Sequence, residues 1–221
     1  MKKTSKFLIT MLVAAATLIS SALPAFAVDT PQQKGPLHFA RNGNQVVVEG
    51  VDYEVDKIPE LKVGEKVKVN TKDKGQSVFK QTIDGKEIIS VITTKPIKDT
   101  GYSVQDSTWG YSLTMNDYYD NTYMGTGELD TTWYTNSGKV TGITNRGWGS
   151  VPAIQWPDKW TCDTIDKYVY PGDPYHGLSY AYLTDHYYIL GFPVNHSTYY
   201  FESVVDGYGW ADSYVELTER S

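Results

Sequence analysis

The strongest constraint on the fold lies between Gly177 and Leu217, where eight tyrosines, two phenylalanines and a tryptophan fall into short runs separated by Gly, Asp and Pro. Alternation with period two, in aromatic and β-branched residues, marks strands on a half-buried sheet. Leu178, Tyr180 and Tyr182 share one face of such a strand, while Ala181 and Leu183 share the other. The pattern predicts an all-β chain, an antiparallel β-sandwich or a barrel-like fold. No run keeps a helical period over three turns. The one helical candidate is Asp158–Tyr168, which has a proline before it and Asp at a capping position; its apolar residues are too few to define a face.

Composition divides the chain near residue 99. From Val28 to Lys98, twelve Lys and Arg stand against ten Asp and Glu, a net of +2; from Asp99 onward, five stand against sixteen, a net of −11. All six tryptophans and seventeen of the eighteen tyrosines follow residue 98. This predicts a small lysine-rich β region, residues 28–98, ahead of a Tyr/Trp-rich β domain, residues 99–221. In the first region Gln45–Val48, Val51–Val55 and Lys66–Thr71 read as short strands, with lysines that keep sheet edges soluble. Asp84-Gly85 separates two strand-like runs and is the pair a type I′ hairpin favours, because both turn positions need positive φ. In the second region Trp109, Tyr111, Leu113 and Met115 fall on one strand face, and Asn136-Ser137-Gly138 joins the next two strands.

The first 27 residues have the three parts of a secretory signal peptide: basic Lys2, Lys3 and Lys6, an apolar run from Phe7 to Ile19, and Ala25-Phe26-Ala27 as cleavage signal. Their removal is expected. The polar tail VELTERS carries no sorting pattern, so the expected product is a secreted, extracellular chain of the bacterial exoprotein kind, without a stable membrane anchor. Cys162 is the single cysteine, which excludes an internal disulfide framework.

Several chemistries lack their motifs. The chain has no G-x-S-x-G elbow, H-E-x-x-H helix or phosphate-binding loop, and its four histidines have no paired cysteines. No cofactor and no metal are expected. The acid-rich second region argues against nucleic acid, whose binding needs Lys and Arg to neutralise phosphates. Asn116, Asp117, Asp120, Asn121, Glu128 and Asp130 offer oxygen ligands for calcium but lack EF-hand spacing, and they read first as turn residues. Cys162, with His176, His186 or His196 as candidate base, reads first as a buried or half-buried thiol that acts as a small hydrophobe. No catalytic residue is assigned.

What remains is aromatic recognition. Between Gly147 and Gly177 regular patterning lapses, yet the segment holds Trp148, Trp156, Trp160 and four prolines. A long irregular connection of this kind is usually functional, and exposed Tyr and Trp offer flat apolar faces with a hydrogen-bonding tip. The expected binding residues are therefore Trp148, Trp156, Trp160 and Tyr175, with His176 as a polar contact. The expected partner is a carbohydrate, a cell-envelope polymer or a protein. Two alternatives stand beside this: a β-sandwich glycoside hydrolase using Glu128 and Glu202, and a secreted antagonist such as a bacteriocin-like protein or inhibitor.

Overall fold

The computed structural model describes residues 36–69, 75–83, 85–97, 106–151, 159–189 and 192–221. Among them are thirteen strands, one 3₁₀ turn at Val55–Lys57 and no α-helix. Strands β1 (Phe39–Asn42), β2 (Gln45–Val48) and β3 (Val51–Glu54) form a small antiparallel meander. The short β4 (Lys66–Lys68) follows. Strands β5 (Gln76–Ile83), β6 (Lys86–Ile97), β7 (Asp106–Tyr119), β8 (Thr122–Asn136) and β9 (Lys139–Ser150) then form a central sheet in sequence order. Strands β10 (Lys159–Val169), β11 (His176–Ile189), β12 (Phe192–Asp206) and β13 (Ala211–Arg220) form a C-terminal sheet, with β4 paired to β13 at its far edge. Every pairing of these strands is antiparallel.

The predicted alternations fill the core between the central and C-terminal sheets. Leu113, Met115 and Leu129 meet Ala181, Leu183, Phe201, Val215 and Leu217 there, all at 0% exposure. Each such side chain contributes about 1.5–3 kcal/mol by leaving water. The small sheet covers part of the opposite face of the central sheet: Val46 and Val48 pack on Val78, Ile89 and Val91, and Phe39 stacks on Tyr118 with ring centroids 4.0 Å apart. The protein is thus an all-β sandwich with a third, smaller layer. That extra layer explains why β6 carries apolar residues on both faces: Ile88 and Ile92 face one way, Ile89 and Val91 the other, and all four are buried.

The compositional boundary near residue 99 falls between two hydrogen-bonded neighbours, since Ile92 of β6 pairs with Met115 of β7. Ile83 pairs with Lys86, which leaves a two-residue hairpin loop with Gly85 at φ +71°; Asp84 lies outside the described residues. The β8–β9 hairpin closes between Asn136 and Lys139, and Ser137 and Gly138 take φ of 51° and 76°, the type I′ pattern. The expected signal segment, Met1–Ala27, also lies outside the described residues. No described helix is long and apolar enough to cross a membrane.

Two expectations are corrected. The helical candidate is a strand, β10, which pairs with β11 from Lys159↔His186 to Val169↔Gly177. Thr161, Thr164, Ile165 and Val169 are β-branched, and a bulge between Cys162 and Thr164 resets the alternation that hid the strand pattern. The described residues of the irregular segment are correspondingly mostly strand. Its start closes β9, its middle holds β10, and residues 170–175 make the turn into β11.

Candidate functional site

The structure disperses the four described residues among the five expected to bind. Trp148 and Glu128 oppose one another in the β8–β9 ladder, on the face of the central sheet that points away from the core. Gly147 and Gly149 take the inward positions on either side of Trp148, and Gly127 lies directly opposite Gly149. Gly127 and Gly149, with Gly125 further along β8, make a floor without side chains, and Trp160 lies on it; Gly147 faces Cys162 instead. A Cβ at Gly125 would stand 2.8 Å from the Trp160 Nε1, and one at Gly127 or Gly149 would overlap its ring or Cβ. Trp160 also stacks on Tyr199 at 5.6 Å and is only 6% exposed, so it is core and has no face to offer a ligand. Trp156 lies outside the described residues. Tyr175 and His176 stand at the turn between β10 and β11, among other loops.

Glu128 and Glu202 do not form a pair. Leu129 and Phe201 point into the shared core, so their neighbours Glu128 and Glu202 point out of opposite sides of the sandwich. Packed sheets alone lie about 10 Å apart, and both carboxyls extend further outward; one sugar bond cannot lie between them. Glu202 is instead held by Lys66, whose Nζ is 2.5 Å away, and by the Tyr200 hydroxyl, which donates at 2.7 Å. Cys162 is an exposed residue rather than a buried one. Its Sγ turns toward Gly147, with the Thr164 carbonyl as acceptor at 3.9 Å, and partial burial raises its pKa, which keeps it a thiol. Asn116 and Asp117 face opposite sides of β7, while Asn121 bonds the Arg41 backbone and so ties the small sheet to the β7–β8 turn.

One cluster of exposed aromatics does form, at the end of the sandwich where the β8–β9, β10–β11 and β12–β13 turns meet. It holds Tyr175, Tyr208 and Trp210, which are 46%, 69% and 76% exposed. Backbone bonds lock the three turns together: Gly207 N–H donates to the Tyr175 carbonyl at 2.9 Å, and Val140 N–H to the Pro174 carbonyl at 2.8 Å. The Asp206 carboxylate accepts from the backbone N–H of both Tyr208 and Trp210, at 2.8 and 2.9 Å, and its carbonyl accepts from the Trp133 indole. Gly209, at φ +94°, lies against the Trp109 ring, where a Cβ would stand 2.8 Å from the indole. Gly207 approaches Gly138 so closely that any Cβ would overlap its backbone.

Beside the ring cluster, Asp173 Oδ2 meets His176 Nδ1 at 2.7 Å, and Asp173 Oδ1 accepts from Tyr175 N–H at 3.0 Å. These two bonds, the histidine's first, hold the Asp173 carboxyl below its ordinary range. The result is a cross-tied rim that presents two phenols and an indole to solvent, with a polar Asp–His pair at its side. Tyr175 and His176 therefore remain candidates, while Tyr208 and Trp210 are additions. The run Asp206-Gly-Tyr-Gly-Trp210 carried a signal for them, because aromatics that alternate with glycines in a turn have no strand face in which to bury.

Comparison with protein-family models, with curated proteins and with solved structures yields no match.

Proposed function

We propose that this chain is an exported, non-catalytic binding protein whose aromatic rim recognises a carbohydrate polymer of a cell envelope or matrix. One observation carries the reading: the three most exposed aromatic rings among the described residues stand on turns that are cross-tied to one another. An exposed tryptophan on a loose loop loses entropy when it binds. Rings fixed in advance on a rigid scaffold avoid most of that cost. Tyr208 and Trp210 supply apolar faces that match the C–H faces of sugar rings, and Tyr175, Asp173 and His176 supply hydrogen-bonding groups at their side. A protein interface of the hot-spot type has a desolvated apolar centre; the rim's neighbours are Gly, Pro and Asp, which suits sugar better.

The test is tryptophan fluorescence and co-sedimentation with a panel of insoluble cell-wall and plant polysaccharides. Wild type should bind at least one, and Trp210→Ala and Tyr208→Ala should each weaken that binding about tenfold, the loss of roughly 1.4 kcal/mol. Binding that is unchanged in both variants, or silence of the wild type across the panel, overturns the proposal.

A further inference from the structure

The small sheet covers only part of the central sheet's outer face, and beside it a depression of about 420 Å³ remains open. Pro36 and Leu37 stand at one side and Trp148 at the other, and the floor is made by outward residues of β6, β7 and β8. Its size lies within the usual range for small-ligand sites, about 300–1,000 Å³. The alternation along the strands makes this floor polar: Ser112, Thr114 and Asn116 face outward while Leu113 and Met115 face the core.

The polar groups of the floor are already arranged. Ser112 donates to Glu128 Oε1 at 2.7 Å and lies 3.3 Å from the Thr114 hydroxyl; Thr126 donates to Asn116 Oδ1 at 2.6 Å. Asp130, two residues along the same strand face, sets a second carboxyl beside Glu128. Burial first, and the neighbouring Asp130 carboxyl second among the raising influences, hold the Glu128 carboxyl above the ordinary glutamate range. Trp148 is fixed from outside by Arg146, whose guanidinium sits 6.0 Å from the ring centre, and Lys95 is also part of the lining.

This lining selects among ligands by what each would leave unpaired. An anion would meet Glu128 and Asp130; a cation would meet Lys95 with Arg146 nearby; an apolar molecule would strip water from the half-buried Thr114, Glu128 and Asp130 without replacing its bonds. A neutral ring carrying several hydroxyls satisfies the site. Its hydroxyls donate to the carboxyl oxygens of Glu128 and Asp130 and to the Thr114 hydroxyl oxygen, while its C–H face lies on the Trp148 indole. We infer that the trough bounded by Trp148, Glu128 and Ser112 binds a single neutral sugar ring or a short neutral oligosaccharide. The site stands independently of the aromatic rim. Glu128 lies six residues along β8 from Tyr134, near the rim end of that strand, a separation of about 20 Å at 3.3 Å per residue.

The experiment uses the full chain, saturation-transfer NMR and calorimetry with glucose, galactose, mannose, N-acetylglucosamine and their dimers. At least one should bind. Trp148→Ala and Ser112→Ala should each weaken it tenfold or more, while Trp210→Ala leaves it unchanged; thermal unfolding of each variant confirms that the fold is kept. The inference is overturned if no member of the panel binds, or if Trp148→Ala and Ser112→Ala both bind as wild type does. Loss of binding in Trp210→Ala alone, or tighter binding of calcium or an alkylamine than of any sugar, overturns it as well. Failure here with polysaccharide binding intact would leave the rim as the single site.

Discussion

Trp160 and Trp210 belong to the same sheet and meet opposite conditions. Trp160 enters at the start of edge strand β10, turns inward, and lies on backbone that three glycines have left bare. Trp210 sits in a turn whose backbone is saturated by Asp206 and the neighbouring turns, so its ring has no cavity to enter and is left in water. Aromatic residues at both places look alike in composition. What separates them is whether the opposing strand removes its side chains to make room. Around Trp160 that removal is written in Gly125, Gly127 and Gly149; around Trp210 the glycines instead bring turn to turn and push the ring out.

This contrast can be broken experimentally, beginning with the core. Trp160→Ala should cost about 3–5 kcal/mol of unfolding free energy in urea or guanidinium titration; a change below 1 kcal/mol would mean the indole is not core. Gly207→Ala comes next. Its Cβ has nowhere to go between the β8–β9 and β12–β13 turns, so a loss of about 1–3 kcal/mol is expected, together with loss of polysaccharide binding. Stability and binding that both match wild type would show that the turns are not locked. Trp210→Ala, by contrast, should leave stability within about 0.5 kcal/mol.

The smallest effect concerns the trough. Because the Glu128 carboxyl is held above its ordinary range, the folded chain binds that proton more tightly than the unfolded chain. The contribution is complete below the unfolded value, about pH 4.3, and is lost as pH rises through the higher folded value. Relative to Glu128→Gln, wild type should therefore lose stability as pH rises from about 4. Parallel stability profiles for the two would show that Glu128 titrates as it does in water.

Much of the strand layout is legible in the chain because its causes are local. Asp84-Gly85 and Asn136-Ser137-Gly138 name their hairpins by backbone chemistry, and the alternations at 109–115 and 178–183 assign core faces without reference to any partner. β10 was missed because a bulge breaks its alternation and because an edge strand exposes most of its residues, so no apolar face advertises it. The site was half legible. Tyr175 and His176 lie in a turn and keep their place at the rim; Trp160 was assigned to binding although its glycine partners sit up to 35 residues upstream, beyond any window of local pattern.

Sequence alone thus determined the class of the fold, its hairpins and the alternation of its core, since each depends on neighbours one to four positions away. Which tryptophan is core and which is surface was decided by tertiary structure. The same holds for whether two glutamates share a cleft and for which loops meet. Those outcomes depend on the strand that packs opposite, and sheet pairing brings that strand in from a distance the local pattern does not encode.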